Sequence, residues 1–338
     1  ERQYGFNPWD PSDAALDADN DRLNNLLEFQ HGCSPTNHDT DNDSLIDGFE
    51  IQYGLNPTNR PGRLDQAEGL DLVGQLDMPG DARSVQVRGD YAFVANDSEG
   101  LYVLDIRSPA NPVFVTATNA GGRAEDVLLY NQYAFVAADF YDLQVFDIST
   151  PTNPVLVGGC YTPGYANALA IQSNYLFIAN DYKGLQIVDI TTPTNPVIVG
   201  SCSNEVDGYA YDVSVQGAYA YLSIYTLGMQ TILIQQPTNP VTVNYRFTGG
   251  QSLGVCARGP YAFVADGVNG VLTMDVTNPA SPVLRGQFDP MGSAEHVTFA
   301  SQDVYIANGF VGIELADASN PTNLVMIDIK NTDGFGRQ

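Results

Sequence analysis

Tyr91-Ala92-Phe93-Val94-Ala95 is a run of aromatic, small and β-branched side chains that the chain repeats with little change. It returns as Tyr133-Ala134-Phe135-Val136-Ala137, Tyr175-Leu176-Phe177-Ile178-Ala179, Tyr219-Ala220-Tyr221-Leu222-Ser223 and Tyr261-Ala262-Phe263-Val264-Ala265. A sixth copy, Asp303-Val304-Tyr305-Ile306-Ala307, carries Asp at the tyrosine position, and successive copies stand 42, 42, 44, 42 and 42 residues apart. Short apolar runs bounded by turn residues are buried strands, and a period of about 40 to 50 residues in an all-strand pattern signals a β-propeller with one four-stranded blade per repeat.

Working outward, the first strand of each repeat is Ser84-Val85-Gln86-Val87-Arg88 and its equivalents, closed by a turn that holds Gly89, Gly217 or Gly259. The third is Gly100-Leu101-Tyr102-Val103-Leu104-Asp105-Ile106, matched by Gly184-Leu185-Gln186-Ile187-Val188-Asp189-Ile190. A Pro-x-Asn-Pro corner such as Pro193-Thr194-Asn195-Pro196 then feeds a fourth strand, Val197-Ile198-Val199-Gly200. Proline has no N–H for a ladder, which places this corner beside the outermost strand. The acid at the end of the third strand recurs as Asp105, Asp147, Asp189, Asp275 and Asp317. A side chain repeated in nearly every blade is expected to hydrogen-bond the turn that follows it, a structural role. Blade four has Leu233 there and two extra residues, so it is expected to be the least regular.

The third strand, written Leu185-Gln186-Ile187-Val188-Asp189, resembles the LVIVD repeat of bacterial propeller proteins, and the resemblance covers residues 70–329. It implies a secreted or cell-surface protein and supplies no chemistry by itself. The expected fold is therefore all-β, a propeller of about six four-stranded blades. Strand counting leaves one outer strand too many: residues 70–76 look like a fourth strand, and so does Leu324-Val325-Met326-Ile327-Asp328-Ile329. Either the N-terminal strand closes blade six, or a seventh blade exists whose first three strands lie beyond residue 338; six complete sets favour six. An unpaired strand offers backbone groups to another molecule, so the expected partners are other protein subunits, joined head to tail into a fibre.

Ahead of the repeats the composition turns acidic. Residues 39–50 read DTDNDSLIDGFE, and residues 17–28 read DADNDRLNNLLE. A twelve-residue oxygen cage for calcium takes ligands at positions one, three, five, seven, nine and twelve, the seventh through a backbone carbonyl. Those places hold Asp39, Asp41, Asp43, Leu45, Asp47 and Glu50 in one copy and Asp17, Asp19, Asp21, Leu23, Asn25 and Glu28 in the other. Ser44 stands where glycine usually permits the sharp turn, and Asn24 replaces the apolar eighth position. The tandem pattern resembles thrombospondin type-three repeats, which implies about two bound calcium ions standing in for a core too small to fold alone. The expected organisation is a small calcium-loop segment at 1–59, a linker at 60–69, the propeller at 70–329 and a tail at 330–338.

A site on a propeller belongs where the blades differ, at the start of the first strands. The equivalent residues there are Ser84, Asp126, Ala168, Asp212, Gly254 and His296, preceded by Arg83, Glu125, Asn167, Tyr211, Leu253 and Glu295. A carboxylate beside a histidine can do acid–base work, so Asp126, Asp212, Glu295 and His296 form the alternative expectation of a hydrolase or lyase at the channel mouth. Asp at two of these positions also suits hydrogen bonding between blades. The phosphate-cradle, serine-elbow and H-E-x-x-H patterns are missing, so no enzyme is the first expectation.

Composition narrows the partners. A net charge of −26, with 14 Lys and Arg in all, argues against nucleic acid, whose binding rests on basic side chains. No run of about 18 apolar residues is present to span a membrane. Cys33, Cys160, Cys202 and Cys256 show neither metal-ligand spacing nor a disulfide framework. A carbohydrate partner is neither indicated nor excluded; Asn96-Asp97-Ser98 is a glycosylation-type triplet.

Overall fold

A computed structural model describes residues 4, 12–19, 21, 23–38, 40, 47, 51, 57–58, 70–139, 143–203, 208–300 and 302–332. The chain divides into two compact units, residues 1–71 with 327–331 and residues 72–326 with 332–338.

The repeats form an all-β propeller of six four-stranded antiparallel blades, each a meander in chain order. Blade one is β1 (Ser84–Arg88), β2 (Tyr91–Ala95), β3 (Leu101–Asp105) and β4 (Val113–Thr118). Blade two is β5 (Asp126–Tyr130), β6 (Tyr133–Ala137), β7 (Leu143–Asp147) and β8 (Val155–Cys160), and blade three is β9 (Ala168–Gln172), β10 (Tyr175–Ala179), β11 (Leu185–Asp189) and β12 (Val197–Cys202). Blade four is β13 (Ala210–Gln216), β14 (Tyr219–Ile224), β15 (Gly228–Leu233) and β16 (Val241–Arg246). Blade five is β17 (Gly254–Arg258), β18 (Tyr261–Ala265), β19 (Val271–Asp275) and β20 (Val283–Phe288), and blade six is β21 (His296–Ala300), β22 (Asp303–Ala307), β23 (Ile313–Asp317) and β24 (Val325–Lys330).

Burial explains why the second strands carry the clearest signal. Both faces of β6, β10 and β18 are covered by neighbouring blades, and those of β2 by blade two on one side and Leu76 and Met78 on the other, so alternation gives way to the continuous Tyr-Ala-Phe-Val-Ala run. One such seam packs Phe93, Leu101 and Val103 of blade one against Val127, Val136 and Phe146 of blade two. The fourth strands lie at the rim and are mostly exposed or half-buried.

The recurrent acids hold the corners: Asp105, Asp147, Asp189, Asp275 and Asp317 accept from the backbone N–H two residues ahead, at 3.0, 2.8, 2.8, 3.0 and 2.7 Å. Blade four is irregular, with a register shift between Ala210 and Asp212. Of the two competing outer strands, β24 completes blade six, while residues 70–76 form no strand. The N-terminal segment therefore does not close blade six.

Two glycines separate crowding from backbone geometry. A Cβ on Gly158 would lie 2.7 Å from the Thr194 carbonyl oxygen, at the corner of the next blade. Gly217 has φ +61° and open space around it, and Asn131, φ 50°, fills the same turn position in blade two. Gly158→Ala should cost about 1–3 kcal/mol by overpacking, whereas Gly217→Asn should change stability by less than about 0.5 kcal/mol, since Asn tolerates the left-handed region; urea unfolding of both variants checks this.

Glu314 of β23 occupies the register of Gln144, Gln186 and Gln230, and it is 1% exposed. Burial pushes its carboxyl up to about 7, against bonds from Asn308 Nδ2 (2.9 Å) and Met291 N (3.2 Å) that favour the charged form. Because the folded state prefers the protonated acid, its contribution is complete below about pH 4.5 and is lost as pH rises to about 7. At about 1.4 kcal/mol per unit the loss is at most about 3 kcal/mol. Glu314→Gln should flatten that fall, read as Tm against pH from 4 to 8.

Candidate functional site

The channel mouth gathers one residue from each blade. Arg83, Glu125, Asn167, Tyr211, Leu253 and Glu295, together with Ala168, Asp212 and His296, line a cavity of about 140 Å³. All six positions expected from the register of the first strands meet there. Arg83, Glu125, Asn167, Leu253 and Glu295 stand directly before their strand cores with the backbone tied to the end of the second strand, as Arg83 N is to Ala95 O (2.8 Å) and Glu295 N to Ala307 O (2.8 Å), whereas Tyr211 lies within β13 at its register shift.

The carboxylates take two roles. Asp126, 4% exposed, accepts from Ser84 Oγ (2.6 Å) of blade one, Val127 N (2.7 Å) of its own strand and Leu169 N (2.7 Å) of blade three. Burial pushes its carboxyl up to about 7, and these three donors pull it back toward the charged form. Asp212 repeats the device, accepting from Val213 N (2.7 Å) and Val255 N (2.8 Å), so it ties blade four to blade five. These are latches whose oxygens are committed to backbone donors. Of the four acid–base candidates, Asp212, Glu295 and His296 reach the cavity and Asp126 does not line it. His296 Nε2 stands 3.6 Å from Asp212 Oδ2.

Glu125 and Glu295 face the cavity without such latches. Burial raises both carboxyls; Arg83 and Arg123 work against the rise at Glu125, and a Ser293 hydrogen bond does so at Glu295. Arg83 is 7% exposed and bridges Asp97 (3.1 Å) and Glu125 (3.8 Å), and Arg123 adds a 2.7 Å bond to Asp97. Tyr211 lies against Tyr225 with ring centroids 5.3 Å apart. The mouth is thus a small, mixed polar pocket whose one buried cation is already paired.

Sequence reasoning missed the Arg83–Asp97–Arg123 network. Its signal was available: Asp97, Asp139 and Asp181 recur at 42-residue spacing, each with positive φ. Asn96 is wholly buried and donates to Pro79 O (2.6 Å), so the Asn96 triplet offers no free amide for a glycan.

The second candidate lies in the N-terminal unit. Asn24 is the N-cap of helix α1 (Asn25–His31), its Oδ1 accepting from Leu27 N (3.0 Å), which gives this polar residue a reason to stand at the eighth position of the loop. The helix carries Asn25 and Glu28 inward, both buried, and Leu23 is buried beside them. Two carboxylate groups form with oxygens within 4.8 Å of one another: Asp17 with Asp19 and Asp21, and Asp21 with Glu28 and Asp47. Asp47 therefore joins the first loop, where two separate cages were expected. Asp39, Asp41, Asp43, Leu45 and Glu50 lie outside the described residues.

Among the described residues this cluster is short of positive charge. Glu28 is 0% exposed and neither of its oxygens has a hydrogen-bond partner; both Asp19 oxygens and Asn25 Oδ1 are equally bare. Burial, then the charges of Asp19, Asp21 and Asp47, push Glu28 up to about 8. Carboxylate and amide oxygens, with no nitrogen or sulfur in the groups, are the donor set of a hard cation such as calcium.

Comparison with known proteins supports the repeat reading. The LVIVD repeat matches residues 79–119, 121–162, 163–204, 207–244 and 249–290. Among solved structures, the computationally designed Ika8 protein is similar at TM-score 0.60 and 9% identity over 80% of each chain. BamB from Moraxella catarrhalis is similar at TM-score 0.53 and 12% identity, over 79% of this chain and 88% of that one. At such identities the likeness is one of fold. No curated protein matches the sequence.

Removing a latch should cost far more than removing a pocket carboxylate. Asp212→Ala strands the buried N–H groups of Val213 and Val255 and should destabilise by about 3 kcal/mol, whereas Glu295→Ala should cost under about 1 kcal/mol. Equal losses in urea unfolding would contradict the division into latch and lining.

Proposed function

The chain belongs to the LVIVD-repeat family, and on that premise we propose that it is a calcium-stabilised scaffold of the cell exterior, a non-enzymatic propeller that presents its surface to protein subunits. The single observation that carries the calcium part is Glu28, a wholly buried carboxyl with two bare oxygens set against Asp21 and Asp47. A cation there would be held by Asp17, Asp19, Asp21, Glu28 and Asp47, and it would supply the positive charge that the cluster lacks. Loops of this chemistry in extracellular modules hold calcium at dissociation constants of roughly 10⁻⁴–10⁻³ M, which suits a compartment rich in the ion.

The scaffold part rests on the latches. Asp126 and Asp212 are buried acids beside the channel, and each spends an oxygen on joining one blade to the next. An acid–base role would have to break the contacts that hold the site together, which weighs against the hydrolase or lyase alternative. We propose protein subunits as partners without the fibre joint expected from the sequence. That joint needed a free strand at 324–329, and the strand is β24, paired inside blade six.

Calcium should order the N-terminal unit and leave the blades unchanged. At 100 times its dissociation constant it should stabilise that unit by roughly 2.7 kcal/mol. Hydrogen exchange across residues 12–38 should accelerate in EGTA, Asp21→Ala should reproduce that acceleration in calcium, and exchange in β2, β6 and β10 should be unmoved by either. Identical exchange across residues 12–38 with and without calcium would end the calcium proposal.

A further inference from the structure

Each of blades one to five lays one lateral face on the next blade, and the faces at the two ends of this series are uncovered in part. In β1, Val85 is 48% exposed; its equivalents Val127, Leu169, Val213, Val255 and Val297 are 1, 7, 5, 3 and 0%. Val87, beside it on the same face, is 60% exposed. In β23, Ile313 is 38% exposed, where Leu101, Leu143, Leu185, Met229 and Val271 are all 0%. Tyr305 and Ala307 of β22 are half-buried, where Phe263 and Ala265 of β18 are buried.

The outer margin of this place is already filled. Leu76 and Met78 pack on Ala92, Val94, Tyr102 and Leu104 of blade one, as Val157 and Cys160 of β8 pack in the seam with blade three. Leu76 stands 84 residues, two repeats, before Cys160. Gly74 abuts Pro109 and Ala110, the contact that Gly158 makes with Thr194 and Gly286 with Thr322 at the corner of a following blade. At the start of the segment, Leu70 N donates to Asp328 of β24 (2.6 Å). Residues 70–76 thus take the seat of a fourth strand without any described third strand to pair with.

We propose that these two faces bound the place of a seventh blade, completed by a three-stranded antiparallel meander of the same LVIVD type that pairs its third strand with residues 70–76. The commitment to this occupant rests on continuity with the chain's own interfaces. Five consecutive seams use one register, and the two uncovered faces are the two halves of that same seam. A folded second copy would bring blades whose strands are already paired and its own residues 70–76, but no open three-stranded meander to lay against Val85 and Ile313 while pairing with residues 70–76. The recruited meander presents Val, Leu or Ile to Val85 and Val87 on one side and to Ile313 on the other.

The probe is a peptide of residues 163–190, this chain's own loop and β9–β11, added to the full chain and, in a second arm, fused after Gln338. Hydroxyl-radical footprinting should show Val85, Val87 and Ile313 labelled freely in the chain alone and at least fivefold less in either arm, with sedimentation giving a 1:1 complex or a monomeric fusion. Val87→Asp should leave the Tm of the chain alone unchanged, where Val127→Asp lowers it, and should abolish protection in both arms. The proposal is overturned if neither arm protects these residues, if they are protected in the chain alone, if Val87→Asp destabilises as strongly as Val127→Asp, or if protection comes from dimerisation of the chain.

Discussion

A sheet with apolar side chains on both faces cannot stand alone in water, and this requirement governs everything else in the propeller. Phe93, Phe135, Phe177 and Phe263 are 0–1% exposed only because a neighbouring blade covers them. At about 25 cal/mol per Å² of apolar surface, burying such a ring supplies roughly 2–3 kcal/mol, and each seam contains several comparable side chains. Because the seams are alike, they demand alike sequences, and the 42-residue period is the trace of that demand. Where a seam lacks its partner, at Val85 and Ile313, the apolar residue is retained and the cover is not.

The channel mouth is a by-product of the same geometry. Blades that meet face to face bring the starts of their first strands together, so residues 42 or 44 apart in sequence become neighbours in space. Their backbone N–H groups must find acceptors away from bulk water. Asp126 and Asp212 answer that need on alternate blades, each reaching its own strand and the next. The intervening positions, Ala168 and Gly254, are too small to latch. A Cβ on Gly254 would lie 2.9 Å from the Cα of His296, so the bulk of His296 is accommodated by what blade five omits. The lining therefore varies because the latching does not have to be repeated in every blade.

The sequence made the fold legible because the structural rule is periodic. Strand identity, the corner acids and the six mouth positions all follow from reading one repeat onto another. What escaped was whatever depends on two repeats at once or on none. Arg83 could be placed at the mouth, but its bonds to Asp97 and Glu125 cross loops that a single repeat does not relate. Residues 70–76 match a fourth strand in pattern and are not one in structure, because a strand is defined by its hydrogen-bonded neighbour and pattern records only side chains. The acidic loops were legible as two runs of carboxylates in one register. The convergence of Asp47 on Glu28 was not, since it depends on how the second loop returns to the first.

The two units meet the cost of burying polar groups in opposite ways. In the propeller, the buried carboxyls of Asp126, Asp212, Asp266 and Glu314 face hydrogen-bond donors, and a broad apolar core offsets their desolvation. Among the described residues of the N-terminal unit the buried apolar side chains are Leu23, Cys33, Pro35, Pro57 and Ile329, set against buried Asp21, Glu28 and Asp47. Like charges a few ångströms apart repel by several kcal/mol at the dielectric of a protein surface, a cost set against a core of only these few side chains. A proton on Glu28 would remove one of those charges, and the cation proposed above would meet the bare oxygens of Asp19 and Glu28 as well. The distribution of apolar residues thus separates a propeller built on a broad core from a unit whose buried carboxyls stand beside few apolar side chains.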